Sequence, residues 1–252
     1  MSTTIGTRVG QFVWHELMTA DVDAAKAFYS ELFGWEFEIY KPGEMDYAMI
    51  SAKGQTHGGF MALDPERGIP PHWIGHVLVE DADQALARAE KVGGKAAFGP
   101  LDIPEIGRFA IIADPQGGVV SAYAPAGEGP AGTGTFLWDE FLAADVEGAK
   151  AYYTEVFGWT TEAMDMGGAG TYTLFKRDGA SVAGLMKNPA EHAPPHWLTY
   201  IATGDVDATI EKAGALGATV YAPAMDVPGV GRFAVLGDPT GAAFGIFKPS
   251  AQ

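Results

Sequence analysis

The six tryptophans fall into three pairs 124 positions apart: Trp14 with Trp138, Trp35 with Trp159, and Trp73 with Trp197. The chain is therefore a tandem duplication, and whatever it folds into is built twice. The period far exceeds that of a solenoid repeat, so each copy is domain-sized. Around the twins the match is dense. Phe12, Trp14, Glu16, Asp21, Val22, Ala25, Lys26, Tyr29, Phe33, Gly34 and Trp35 all recur at the same spacing. Pro70-Pro71-His72-Trp73 recurs as Pro194-Pro195-His196-Trp197, and Gly107-Arg108-Phe109-Ala110 as Gly231-Arg232-Phe233-Ala234. Asp114-Pro115 and Gly117 recur as Asp238-Pro239 and Gly241. Tyr47 and Met61 match Tyr172 and Met186 one step out of phase, which puts a compensated insertion in the loops on either side.

The Pro- and Gly-rich stretch from Ala124 to Gly134 reads as a linker. The expected domains are residues 1–123 and 135–252, joined by 124–134. A weaker repeat lies inside each copy. Segments beginning at Asp21, Asp81, Asp145 and Asp205 each read as a helix capped by aspartate. Val22, Ala25, Phe28, Tyr29 and Leu32 share one helical face, and Gly34 stops the helix. Ala82, Ala85, Leu86, Ala89 and Val92 repeat that pattern before Gly93-Gly94. Strand-like runs precede and follow each helix: Phe12–Met18, Trp35–Tyr40, Tyr47–Ser51 and Gly59–Leu63, then Trp73–Val79, Ala97–Phe98, Phe109–Ala113 and Val119–Tyr123. Each quarter is β-α-β-β-β.

Bulk properties narrow the function. The chain has no cysteine, so thiolate chemistry, disulfides and cysteine metal ligands are excluded. A net charge of −16 disfavours nucleic acid and anionic membranes. No apolar run approaches the ~20 residues of a membrane span, and Met1 to Gly10 lacks the order of a signal peptide, so a cytoplasmic protein is expected. Neither a Ser-His-Asp elbow nor a dinucleotide fingerprint is present.

The helix Asp21…Phe28-Tyr29…Phe33-Gly34-Trp35, the turn Asp114-Pro115-Gln116-Gly117 and the paired β-α-β-β-β plan resemble the vicinal oxygen chelate superfamily, also called the glyoxalase/bleomycin-resistance/dioxygenase fold. The resemblance implies an α+β fold with two tandem domains, each of two βαβββ modules whose strands form a curved mixed sheet around a cleft. Within it the chain is similar to tandem-domain bacterial glyoxalase-like proteins. The superfamily hosts lyases, isomerases, dioxygenases, transferases and non-catalytic binders, so the fold alone does not choose among them. Metal-using members would carry ligands at Trp14, His72 and Ser121, and in the second copy at Trp138, His196 and Gly245. Only His72 and His196 are ligand types, so no cofactor is expected, with a divalent metal on those histidines as the alternative.

Strand alternation puts Trp14, Glu16 and Met18 on one face and turns His15 away. His72 and His76 share a face but stand about 13 Å apart along a strand, too far to close on one ion. His15 becomes Asp139 and His76 becomes Tyr200 in the second copy, while His57 lies near the insertion. Glu16 and Glu140 are the candidate bases, because burial among aromatics raises a carboxyl pKa. Cleft candidates are Trp14, Met18, His72, His76, Phe109 and Ser121, and in the second copy Trp138, His196, Tyr200, Phe233 and Gly245. A hydrogen bond where the strand begins is the plain role for His72, and a salt bridge the plain role for Arg108 and Arg232. Gly58-Gly59 and Ala183-Gly184 read as close backbone approaches.

Three functions follow as expectations. The first is a small-molecule binder with one cleft per domain, alone or as a homodimer, and without the usual metal triad. The second is a lyase or isomerase acting on an α-oxygenated carbonyl compound, with Glu16 or Glu140 as base. The third is a structural or partner-binding protein with filled clefts.

Overall fold

The computed structural model describes residues 8–41, 46–130, 132–166, 170–190 and 192–250. These residues form four successive β-α-β-β-β modules. Module 1 comprises β1 (Phe12–Thr19), α1 (Val22–Phe33), β2 (Glu36–Tyr40), β3 (Tyr47–Ala52) and β4 (Gln55–Ala62). Module 2 comprises β5 (His72–Leu78), α2 (Ala82–Lys91), β6 (Lys95–Ile103), β7 (Gly107–Ala113) and β8 (Val119–Pro125). Module 3 comprises β9 (Phe136–Ala143), α3 (Val146–Phe157), β10 (Thr160–Asp165), β11 (Thr171–Arg177) and β12 (Ala180–Lys187). Module 4 comprises β13 (His196–Ala202), α4 (Val206–Ala215), β14 (Thr219–Val227), β15 (Gly231–Gly237) and β16 (Ala243–Pro249). A 3-10 turn, Pro65–Arg67, follows β4. Residues 42–45 and 167–169, on which one end of the phase shift falls, lie outside the described residues. So do residues 1–7 and one linker position, residue 131.

Each copy contributes one eight-stranded mixed sheet, in the order β2-β3-β4-β1-β5-β8-β7-β6 and β10-β11-β12-β9-β13-β16-β15-β14. In every module the first strand pairs parallel with the last, as in His15–Thr19 against Gly58–Ala62. β6 runs well beyond the two residues its sequence suggested. Register shifts at Ala96/Phe98 and Phe98/Leu101 break its alternation, so a period-2 search loses it.

The helices start and stop where the side chains dictate. Asp21, Asp81, Asp145 and Asp205 each accept a hydrogen bond from the backbone N–H three residues on, at 2.9–3.1 Å. Gly34 and Gly158 end α1 and α3 in the left-handed conformation, φ 70° and 67°. The buried face of α1 is Ala25, Phe28, Tyr29 and Leu32, as the 3.6-residue period requires.

The sequence left open which modules pack together. One compact unit joins modules 2 and 3 with residues 8–14; the other joins modules 1 and 4 with residues 132–137. In the first, Phe12, Phe141, Tyr153, Trp159, Phe175 and Trp197 form an aromatic core with Ala82, Ala85 and Ala89 of α2. In the second, Phe28, Tyr29, Trp35, Phe60, Trp73, Phe136 and Phe244 do the same. Each unit is thus made from half of each copy.

Both units are tied by the same buried hydrogen-bond chain. In the first unit, Trp197 Nε1–H donates to Tyr153 Oη at 2.9 Å, and Tyr153 donates to Asp114 Oδ2 at 2.8 Å. Asp114 Oδ1 meanwhile accepts from the N–H groups of Gln116 and Gly118, holding the turn between β7 and β8. In the second unit, Trp73 donates to Tyr29 at 3.2 Å, Tyr29 to Asp238 Oδ2 at 3.0 Å, and Asp238 Oδ1 holds Thr240, Gly241 and Ala242. Removing one hydroxyl strands an indole N–H and a carboxylate oxygen at once, and burial makes both costly. Tyr153→Phe and Tyr29→Phe are each expected to lower unfolding stability by about 2 kcal/mol in urea titrations. Unchanged midpoints would show that the chains contribute no stability.

Candidate functional site

The site begins with the alternation of β1. Leu17 points into the aromatic core beneath the helix. Trp14, Glu16 and Met18 therefore project from the opposite face of the strand. Trp14 and Met18 are half-buried, and Glu16 is 8% exposed. His15 is fully buried on the core side, its ring stacked 4.2 Å from Phe136, and plays no part in that face.

Glu16 lies opposite Gly59 on β4. A Cβ at Gly59 would overlap the ring of Tyr47 from β3. The glycine is thus a notch that lets the tyrosine lie across β4, and the Tyr47 hydroxyl hydrogen-bonds Glu16. Module 3 repeats the construction. Glu140, 6% exposed, lies opposite Gly184, where a Cβ would overlap Tyr172, and the Tyr172 hydroxyl bonds Glu140. In this module Trp138 Nε1–H also donates to Tyr172 Oη at 2.8 Å. An indole N–H can only donate. The single hydroxyl hydrogen of Tyr172 is therefore left for Glu140, which must accept it.

Burial raises the Glu16 carboxyl from 4.5 to about 7, with the Tyr47 hydrogen bond acting against the shift. Burial also pushes the Tyr172 hydroxyl far up, helped by the nearby Glu140 charge. A carboxyl poised near neutrality among aromatic rings can accept a proton or a hydrogen bond.

Modules 2 and 4 carry a different version. The position five residues before each capping aspartate holds Glu16, His76, Glu140 and Tyr200 in turn. Each faces a small residue on the parallel partner strand: Gly59, Ser121, Gly184 and Gly245. His76 is buried opposite Ser121, with Phe109 and Tyr123 rings 6.4 Å away. The Tyr200 ring covers Gly245 and meets Phe233 edge-on at 6.0 Å.

His72 and His196 stand where their strands begin. Each imidazole Nδ1–H donates to a proline carbonyl, Pro70 at 2.7 Å and Pro194 at 2.8 Å, the plain role their sequence position suggested. In a neutral imidazole that bond leaves Nε2 with its lone pair. Burial lowers the His72 pKa, with the Pro70 carbonyl acting in the other direction. Arg108 is bridged to Asp83 and Asp102, both at 2.7 Å, and Arg232 likewise to Asp207 and Asp226. Both guanidiniums are committed to salt bridges.

A divalent ion needs more donors than the expected positions provide. Trp138 is a hydrogen-bond donor to Tyr172, Gly245 has no side chain, and Ser121 is neutral, so each copy supplies one imidazole there. Among the described residues no three His, Cys, Asp or Glu side chains group as a metal site. The expected positions thus fall short of the three protein ligands usual for a divalent ion.

The tyrosines were the part that sequence reading did not assign. Their signal was present: Tyr47/Tyr172 and Gly59/Gly184 share the same out-of-phase spacing of 125. The Gly-Gly reading was half right. A Cβ at Gly58 would press on the His15 carbonyl, a backbone approach, but Gly59 makes room for a side chain.

Comparison with known proteins agrees with this architecture. Residues 11–52 match the family described as bleomycin resistance protein-like N-terminal, and residues 139–246 the glyoxalase/bleomycin resistance protein/dioxygenase superfamily. A Mycobacterium bovis protein named "Putative glyoxylase CFP32" is 36% identical over 97% of both chains. The anthracycline biosynthesis protein DauV of a Streptomyces species is 30% identical over 95% of this chain and 93% of its own. A Mn(II)-bound glyoxalase from Novosphingobium aromaticivorans superposes with a TM-score of 0.65 at 17% identity, covering 95% of this chain and 82% of that one. The 2,3-dioxygenase LapB from a Pseudomonas species gives 0.66 at 12% identity, covering 96% and 94%. The chain belongs to the glyoxalase/bleomycin resistance protein/dioxygenase superfamily, and is glyoxalase-like within it.

The raised carboxyl has a consequence for stability. Glu16 binds its proton more tightly folded than unfolded, so protonation stabilises the fold. That contribution is complete below pH 4.5 and is lost as pH rises through about 7. Relative to Glu16→Gln, the wild-type protein is expected to lose up to about 3 kcal/mol across that window, read from urea midpoints at each pH. Parallel pH profiles for the two proteins would show that Glu16 titrates normally.

Proposed function

We propose that each copy binds a small organic ligand against the sheet face that carries Trp14 and Glu16, or Trp138 and Glu140. The indoles offer flat apolar surface, and the carboxyls offer one oriented polar group amid that surface, the composition of a small-molecule site. The observation that carries the reading is the Trp138–Tyr172–Glu140 chain, a polar group built into an apolar face, with the Glu and Tyr repeated in the other copy. A carboxyl favours ligands that bring hydroxyl or amine donors, and an acidic chain disfavours anions. The relatives are named for a glyoxylase and for anthracycline biosynthesis, which supports organic ligands without choosing one. The ligand is held without a divalent ion, because each copy retains a single imidazole at the expected positions.

The second reading, a lyase or isomerase of glyoxalase type, is favoured by one observation: a Glu16 carboxyl near 7 is matched to proton abstraction at neutral pH. One calorimetric and kinetic series separates the two. A panel of hydroxylated aromatic and α-oxygenated carbonyl compounds is titrated into wild-type protein and into Glu16→Gln/Glu140→Gln, with product assayed in parallel. Binding predicts saturable heat with no product, an affinity at least 10-fold weaker in the double variant, and no effect of EDTA. Product formation that vanishes in the variant with affinity retained would replace binding by catalysis. No heat from any compound, together with a stoichiometric metal in elemental analysis, would defeat the proposal.

A further inference from the structure

Tyr47 and Tyr172 are side chains for which the aromatic core has no use. Each comes from the second strand of the sheet order, β3 or β11, crosses the neighbouring strand, and ends on the carboxyl beyond it. Core tyrosines such as Tyr29 and Tyr153 instead project from α1 and α3 into the cores and end on turn aspartates. In both copies the crossing is possible only because a glycine stands opposite the glutamate. Any side chain at Gly59 or Gly184 would occupy the space of the ring.

The architecture therefore spends two positions per copy, a glycine and a tyrosine, on one hydrogen bond to one carboxyl. The hydroxyl also has a forced direction in module 3. The Trp138 indole fills the acceptor side of Tyr172 Oη, so the hydroxyl hydrogen is aimed at Glu140. A phenol ring with two stiff torsions, clamped at its tip, holds a carboxyl more tightly than water or a flexible amide would.

We propose that Tyr47 and Tyr172 are positioning residues that hold Glu16 and Glu140 for the ligand through a tyrosine laid in a glycine notch. This deepens the binding role proposed above, and its test needs no ligand. The Glu16 titration gives the readout. The Tyr47 hydroxyl stabilises the charged carboxylate, opposing the effect of burial. Losing it should raise the Glu16 midpoint from about 7 by roughly one pH unit.

The experiment is a carboxyl-carbon NMR titration of full-length protein labelled at glutamate, with Glu16→Gln and Glu140→Gln assigning the two signals. Tyr47→Phe is compared with Gly59→Ala, which keeps the hydroxyl but fills the notch. Tyr172→Phe and Gly184→Ala are the counterpart pair for Glu140. Both members of each pair are expected to move the same glutamate signal upward in pH, and to leave the glutamate of the other copy unmoved. Near-ultraviolet circular dichroism checks that the core is unchanged. Should alanine unfold the chain, Gly59→Ala combined with Tyr47→Phe, which removes the clash, is expected to restore folding with the raised midpoint. Unmoved glutamate titrations in folded Tyr→Phe variants would overturn the proposal. Moved titrations with no ligand bound by any member of the panel would leave the positioning role standing and remove only the binding role.

Discussion

The bond from a helix tyrosine to a turn aspartate is what the rest of the structure depends on. Tyr153 and Tyr29 each take a donor from a tryptophan that follows Pro-Pro-His, and give a donor to the aspartate of an Asp-Pro turn. The tyrosine belongs to one copy and the aspartate to the other. Three motifs far apart in sequence therefore meet at one buried point in each unit. In each unit the two copies thus share one buried bond, the tyrosine from one and the aspartate from the other. The aspartate serves twice, one oxygen holding its turn and the other the distant helix, and so couples local turn geometry to long-range packing.

With the helices anchored on one side of each first strand, the other side is the face on which the proposed ligand site lies. Alternation then decides which residues it receives: Trp14, Glu16 and Met18, and Trp138, Glu140 and Leu142. The carboxyl at the centre of each trio is deeply buried, and a hydrogen-bond donor of fixed orientation offsets the cost of that burial. Tyr47 and Tyr172 provide that donor. The same four-fold register places His76 and Tyr200 in modules 2 and 4, so one scaffold position carries carboxyl, imidazole or phenol according to module.

Much of this was legible in the sequence because it depended on period and spacing. The four helices followed from capping aspartates and a 3.6-residue apolar face, and most strands from alternation between turn signals. The β1 face that presents Glu16 followed from parity alone. Other parts depended on contacts that spacing does not encode. β6 was read short because its bulges scramble parity. The pairing of modules across copies was invisible because duplicated halves offer the same apolar faces to either partner. The tyrosines were missed because the residue that betrays them is a glycine on another strand, and a glycine has several possible reasons to be present.

The tryptophan twins divide into two kinds. Trp35, Trp159, Trp73 and Trp197 lie in the cores, whereas Trp14 and Trp138 share a strand face with the glutamates. The most direct measurement is therefore the set of six indole N–H signals in a nitrogen-15 correlation spectrum, recorded while the tightest-binding compound of the panel is added. The account predicts that the Trp14 and Trp138 signals shift saturably while the four core indoles stay in place. Shifts confined to core indoles, or a saturating ligand that leaves Trp14 and Trp138 unmoved, would contradict it.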